Sequence, residues 1–176
     1  MKLLLTRHGE TDWNRENRVL GRTDAPLNRR GLEQAADLVA RLHRVPLDAV
    51  YASPLVRAKH IGDLAAEDHG LVCRTDLRLI EMDFGRMEGC MRDDPAYLAE
   101  KHKLLSRYPE GESYFQAAAR VYPFLDALRE RHREETVLVV THNGICRVIA
   151  TYYMDLSEEA FFSFSMKNCE VRTFEL

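Results

Sequence analysis

Residues 3 to 9 read LLLTRHG. The apolar run Leu3 to Leu5 is of buried-strand type, and it ends on Thr6, with Arg7, His8 and Gly9 following at once. A second histidine, His142, follows another apolar run, Thr136 to Val140. A second arginine, Arg57, comes shortly after the run Ala49 to Ala52, in the first turn of an expected helix. Two imidazoles and two permanent cations delivered at strand ends suit a phosphoryl group. Arginine matches phosphate oxygens bidentately, and a helix N-terminus adds amides and the positive end of its dipole. A metal site with His8 and His142 as ligands is the competing reading, but Arg7 and Arg57 would repel a cation. No metal and no cofactor are therefore expected. One Arg-His-Gly tripeptide is weak by itself; the convergence of four residues carries the reading.

The elements that must position these residues alternate between strand and helix. Lys2 to Leu5, Ala49 to Ala52 and Thr136 to Val140 read as strands, Leu71 to Arg74 as a weaker one. Cys169 and Val171 alternate with Glu170 and Arg172 in a last, half-exposed strand. Asn28 is placed to cap a helix carrying Leu32, Ala35, Ala36, Val39 and Leu42 at three-and-four spacing. Ser53 and Pro54 read as the N-cap and first position of a helix through Leu55, Ala58, Ile61 and Ala65. Ser113 and Gln116 form a capping box for a long helix to about residue 133, with Pro123 expected to kink it. Ile145 to Tyr153 is helical in pattern. The prediction is an α/β fold of three layers, a mostly parallel central sheet flanked by helices, in a single domain spanning 1–176. In such sheets ligands bind at the carboxyl ends of the strands, where Arg7, His8 and His142 stand.

Composition narrows the class. The 176 residues are 45% hydrophobic and 30% charged, with a formal net charge of −3, so neither nucleic acid nor an anionic membrane is an expected partner. No apolar run approaches a membrane span, and the three leucines after Lys2 are too few for a signal peptide. The four scattered cysteines (Cys73, Cys90, Cys146 and Cys169) contain no CxxC pair and read as reduced thiols of a cytoplasmic protein. The expected assembly is a monomer or a homodimer.

Five blocks, in order, resemble the histidine phosphatase superfamily in its phosphoglycerate mutase-like branch, on the phosphatase side. They are RHGETDWNRENRVLGRTDAPLNRRG, YASPLVRA, LIEMDFGRMEG, YPEGES and VVTHNGICR, and together they cover almost the whole chain. The resemblance implies that His8 is a nucleophile forming phosphohistidine. Arg7, Arg57 and His142 would then bind the equatorial phosphoryl oxygens, and Asn14 would contact the phosphate. Such chemistry needs one ring nitrogen of His8 free and the other donating, most simply to a backbone carbonyl. Gly9 would let the backbone pass close to the phosphate. Glu81 takes the family's acid position in L-x-E-x-x-F-G, with Asp83 and Glu88 as rivals. Its role would be to protonate the leaving group and then to activate water, a double duty favoured by a raised pKa. Thr11 and Gly21, with Asn143, complete the expected substrate-binding set, while Glu10 reads as support and Trp13 as packing.

Three positions depart from the family pattern. Asn143 replaces the first of two glycines after the second histidine, with a side chain that could reach the phosphate. Leu20 stands where a polar residue is common before Gly21, and Met87 where an aromatic is common. Residues 90–110 would form a small cap, with a helix from Asp94 and Pro95 to about Ser106. Arg92, Tyr97, Lys101, His102, Arg107 and Tyr108 are its candidates to touch a leaving group. The expected activity is hydrolysis of a small phosphorylated metabolite, with inorganic phosphate as product. A phosphoglycerate mutase is the first alternative; the chain between Gly89 and Gly111 is short for the lid that a mutase needs. A catalytically dead phosphate-binding module is the second, and His8, Glu81 and His142 argue against it.

Overall fold

The computed structural model describes residues 1–175. One five-stranded sheet runs through it, in the order β3-β2-β4-β1-β5. The strands are β1 (Lys2–Arg7), β2 (Ala49–Ala52), β3 (Cys73–Thr75), β4 (Thr136–Thr141) and β5 (Val171–Glu175). All neighbours are parallel except β5, which runs antiparallel to β1 at the edge. Along β1 and β4 successive side chains point to opposite faces. Leu3, Leu5, Val137 and Val139 enter one core beneath α5 (Tyr114–Arg131) and α6 (Asn143–Tyr153). Leu4, Leu138 and Val140 enter the other, beneath α2 (Arg29–Leu42) and α3 (Val56–Asp68). Both faces are covered, which is why these strands read as continuous apolar runs. Truncating a fully buried core residue such as Leu38 would cost about 2–5 kcal/mol.

Local chemistry sets most boundaries. The Asn28 side chain accepts from Gly31 N at the start of α2 (2.8 Å). Ser113 and Gln116 exchange both bonds of a capping box at the start of α5. That helix runs unbroken through Pro123. A short helix, α1 (Asp12–Arg15), lies between the first strand and α2, and α7 (Glu158–Ser163) follows α6.

Several expected boundaries move. Helix α3 begins two residues late, with Leu55 rather than Ser53 at its cap position, and Asp24 accepts from Val56 N (2.7 Å). Ser53 instead prolongs β2, its N–H donating to Val140 O (2.9 Å). The last strand begins at Val171, because Cys169 sits at φ +56° and hands its N–H to Arg7 O. Helix α4 is shorter than expected, Pro95–Lys101, with the Asp94 side chain accepting from Ala96 N. Helix α6 starts earlier than expected, at Asn143. The four cysteines are free thiols, Cys146 and Cys169 buried. No helix among the described residues is long and apolar enough to cross a membrane.

Candidate active site

The sheet register brings the two histidines together. Arg7 pairs with Thr141 at the ends of β1 and β4, and His8 N–H continues the ladder to Thr141 O (3.0 Å). The next residues, His8 and His142, therefore leave adjacent strand ends side by side, with ring centroids 5.1 Å apart. On the other side of β4, β2 ends at Ala52 opposite Val140, so Ser53 reaches His142. The Ser53 Oγ to His142 Nε2 distance is 2.7 Å. All three side chains are buried.

His8 Nδ1 lies 2.7 Å from Gly9 O. A carbonyl only accepts, so Nδ1 carries the proton and Nε2 presents a lone pair. Burial, and then the Arg57 and Arg7 charges, hold the His8 pKa well below 6.5, so the ring is neutral at neutral pH. His142 is pushed the same way, by burial first and then by Arg57, His8 and Arg7.

Arg57 is a buried cation and Arg7 a half-buried one, and neither has a carboxylate at ion-pair distance among the described residues. Arg57 Nη1 and Nη2 donate to Thr23 O (2.8 Å) and Gly21 O (2.6 Å). Arg7 Nη1 donates to Met166 O (2.9 Å). Arg7 Nε, Arg57 Nε and His142 Nδ1 are buried and unpartnered. Orphaned buried donors are costly, and the Arg7 and Arg57 charges bear on both imidazoles.

Glu81 is 4% exposed. Its Oε1 accepts from Met82 N (2.9 Å) and its Oε2 from Gly144 N (3.2 Å), in the first turn of α6. Burial outweighs these bonds and the Arg57 and Arg7 charges, and raises its pKa above the usual 4.5. The rivals are engaged elsewhere. Asp83 accepts from Gly85 N and pairs with Arg22 (3.3 Å). Glu88 Oε1 accepts from Gly21 N (2.8 Å) and Thr23 N (3.2 Å), bracing the loop that holds Arg57.

Other expected site residues take different places. Gly9 is required by protein packing: a Cβ there would meet Gly31 O at 2.6 Å, so the loop lies against the start of α2. Thr11 and Asn14 cap α1 reciprocally, Asn14 N donating to Thr11 Oγ1 and Thr11 N to Asn14 Oδ1, both at 3.2 Å. Gly21 supplies a carbonyl to Arg57 rather than a side-chain gap. Asn143 is helical, and its Oδ1 accepts from Met166 N (2.9 Å), fixing the segment whose carbonyl holds Arg7. Glu10 Oε1 accepts from Asn28 Nδ2, and the Trp13 ring lies against Gly89. Leu20 is buried. Sequence reasoning assigned Ser53 to a cap and passed over Asn168, whose Nδ2 donates to His8 O (2.8 Å). The serine of YASP was the available signal for Ser53; nothing in the sequence pointed to Asn168.

Among the described residues, no three His, Cys, Asp or Glu gather to hold a metal ion. The arrangement offers a neutral imidazole with its Nε2 lone pair available, several donors around it, and a buried carboxyl of raised pKa.

Known proteins share this frame. The chain is 33% identical to phosphoserine phosphatase 1 of Hydrogenobacter thermophilus, over 96% of this chain and 83% of that protein. It is 34% identical to the adenosylcobalamin/alpha-ribazole phosphatase of Escherichia coli, over 93% of this chain and 84% of that protein. A probable phosphoglycerate mutase of Salmonella arizonae is 28% identical, over 97% and 83%. The solved mycobacterial glucosyl-3-phosphoglycerate phosphatase superposes with a TM-score of 0.88 at 26% identity, covering 98% of this chain and 88% of that one. The profile of the histidine phosphatase superfamily (branch 1) matches residues 3–176. With its α/β sheet and its relatives among phosphatases, this chain belongs to the histidine phosphatase superfamily, branch 1.

Proposed function

We propose that this protein is a metal-independent phosphomonoesterase that hydrolyses a small phosphorylated metabolite through phosphohistidine on His8. The observation that carries this reading is the His8 ring. It is neutral, locked by Gly9 O with Nε2 free, and lies beside Arg7, Arg57 and His142, each with a buried donor unspent. Nε2 attacks phosphorus as the P–O ester bond breaks, and Glu81 gives its proton to the leaving oxygen. Water then attacks the phosphohistidine, Glu81 takes the proton, and inorganic phosphate leaves with Nε2 restored. The arginines and His142 Nδ1–H hold the equatorial oxygens, where charge collects. For Nδ1 to donate, His142 Nε2 must accept the Ser53 hydroxyl hydrogen. Ser53 is also placed to accept from Leu55 N (3.4 Å), which fits that direction. Residues 90–110 act as a small cap on a single-domain body, and the substrate enters between cap and strand ends.

The test is turnover of p-nitrophenyl phosphate in EDTA. Full activity in chelator, an acid-labile phosphoenzyme in wild type, and loss of both in a folded His8→Ala variant are the expected results. Activity lost in EDTA and restored by a divalent ion would overturn the metal-free mechanism. Isomerisation of 3-phosphoglycerate, run beside hydrolysis, separates a mutase from a phosphatase.

A further inference from the structure

The two imidazoles stand at the ends of paired strands, but the carboxyl of Glu81 does not. The segment Ile80–Phe84 lies between two short 3-10 turns, Leu77–Leu79 and Gly85–Met87, and belongs to no strand or longer helix. A group on irregular chain keeps a catalytic geometry only where its surroundings hold the backbone. The Glu81 carboxylate is tied to Met82 N and to Gly144 N of α6. What ties the backbone of the same segment comes from α5 and from the residues just before it.

Arg120, in the second turn of α5, spends its guanidinium on that segment. Its Nη1 donates to Arg78 O (2.5 Å) and its Nη2 to Glu81 O (3.3 Å). Its Nε and Nη2 also donate to the two carboxylate oxygens of Glu112 (2.8 and 2.9 Å), a bidentate pair. Glu112 in turn donates its N–H to Asp83 O (2.8 Å), two residues past the acid. The pair is largely buried, with side-chain exposures of 18% for Arg120 and 11% for Glu112. Such a pair returns little net stability over its desolvation cost. What it supplies is direction, because a planar fork gripped by a carboxylate can aim its remaining donors at fixed points. Here those points are carbonyls on either side of the acid and of the acid itself. Arg22 adds a weaker, more exposed brace, its Nε 3.5 Å from Glu81 O and its guanidinium 3.6 Å from Glu112. The acid is thus held by its backbone to α5 and by its carboxyl to α6.

We propose that Arg120, oriented by Glu112, is a positioning residue for the acid: it sets where the Glu81 carboxyl stands against the leaving oxygen without touching the substrate. This rests on the phosphatase reading with Glu81 as proton donor. The test is the single-turnover rate of His8 phosphorylation at saturating ester, with glycerol 2-phosphate as the alkyl ester and p-nitrophenyl phosphate as the aryl one. Arg120→Met removes all four bonds. Arg120→Lys keeps the positive charge, which reaches His142, but loses the fork. In both variants the ratio of the glycerol 2-phosphate rate to the p-nitrophenyl phosphate rate should fall about tenfold or more, because a misplacement of about 1 Å costs up to about a hundredfold and only the alkyl ester needs the proton. In Glu81→Gln, where no proton is left to misplace, the same substitutions should leave the ratio unchanged. Each ratio is taken within one preparation, so unfolded protein cancels. Glu112→Gln keeps the shape and one acceptor, should lower the ratio in the same direction by less, and decides the matter by the same criterion should neither Arg120 variant fold. An unchanged ratio, or a fall that persists in the Glu81→Gln background, overturns the inference, since Arg120 would then serve the fold or both esters alike. Turnover of neither ester by wild type, or a Glu81→Gln ratio equal to that of wild type, would instead overturn the reading on which the inference rests, and the inference with it.

Discussion

Replacing Glu81 by Gln separates proton donation from everything else this side chain does. The carboxylate accepts two backbone N–H groups, from Met82 (2.9 Å) and Gly144 (3.2 Å). Glutamine has the same shape but only one oxygen, so its NH2 must face one of those donors. Leaving one buried N–H unsatisfied costs about 1–3 kcal/mol, partly offset because the variant no longer buries an ionisable group. The fold should survive with a modestly lower denaturation midpoint. Catalysis should respond in a way that depends on the ester. With an alkyl ester, whose alkoxide leaves poorly, the rate of His8 phosphorylation should fall by about 10²–10⁴-fold, the usual scale of general acid catalysis. That is about 3–5 kcal/mol of barrier. With p-nitrophenyl phosphate, whose phenolate leaves unaided, the loss should be below about tenfold by the same reasoning. The assay is a single-turnover rate for both esters in wild type and variant. Asp83→Asn and Glu88→Gln serve as controls, because their carboxylates are engaged with Arg22 and with Gly21 and Thr23. Equal losses for the two esters in Glu81→Gln, or an ester-dependent loss in a control, would refute the assignment.

Three further outcomes follow from the same geometry. Arg57→Ala removes the donors to Gly21 O and Thr23 O together with the proposed phosphoryl ligand, so inorganic phosphate should bind about tenfold or more weakly in calorimetry; unchanged affinity would place the phosphate elsewhere. Gly144→Ala puts a Cβ 2.6 Å from Glu81 Oε1 and 2.9 Å from Met82 Cγ, and should slow alkyl esters more than p-nitrophenyl phosphate by displacing the acid. His8 and His142 have folded-state pKa values lowered below 6.5, so their contribution to stability is full above that pH and is lost as the pH falls and the unfolded chain takes up protons the folded one refuses. Glu81, raised by burial, works in the opposite sense and is relieved as it protonates. The stability lost in urea denaturation between pH 8 and pH 5 should therefore be smaller in His142→Asn than in wild type, and an equal loss would show that His142 is not held neutral.

The sequence by itself determined where chemistry could stand. Apolar runs that end on Arg7–His8 and on His142 are legible because a strand covered on both faces must be continuously hydrophobic, and its first polar residues mark the sheet's carboxyl edge. The caps at Asn28 and Ser113 were legible because capping is local chemistry between residues three apart. Tertiary structure decided what each group touches. Only the register of β1 on β4 sets the two imidazoles 5.1 Å apart, and only β2 on β4 turns Ser53 from an apparent helix cap into the partner of His142. Glu81 could not be told from Asp83 and Glu88 by residue type. Burial at the start of α6 raises its pKa, while salt bridges and backbone amides hold the other two. Gly9 and Asn143 follow the same logic. Each was legible as a special position, but its partner, Gly31 for one and Met166 for the other, lies far along the chain and is brought close only by packing.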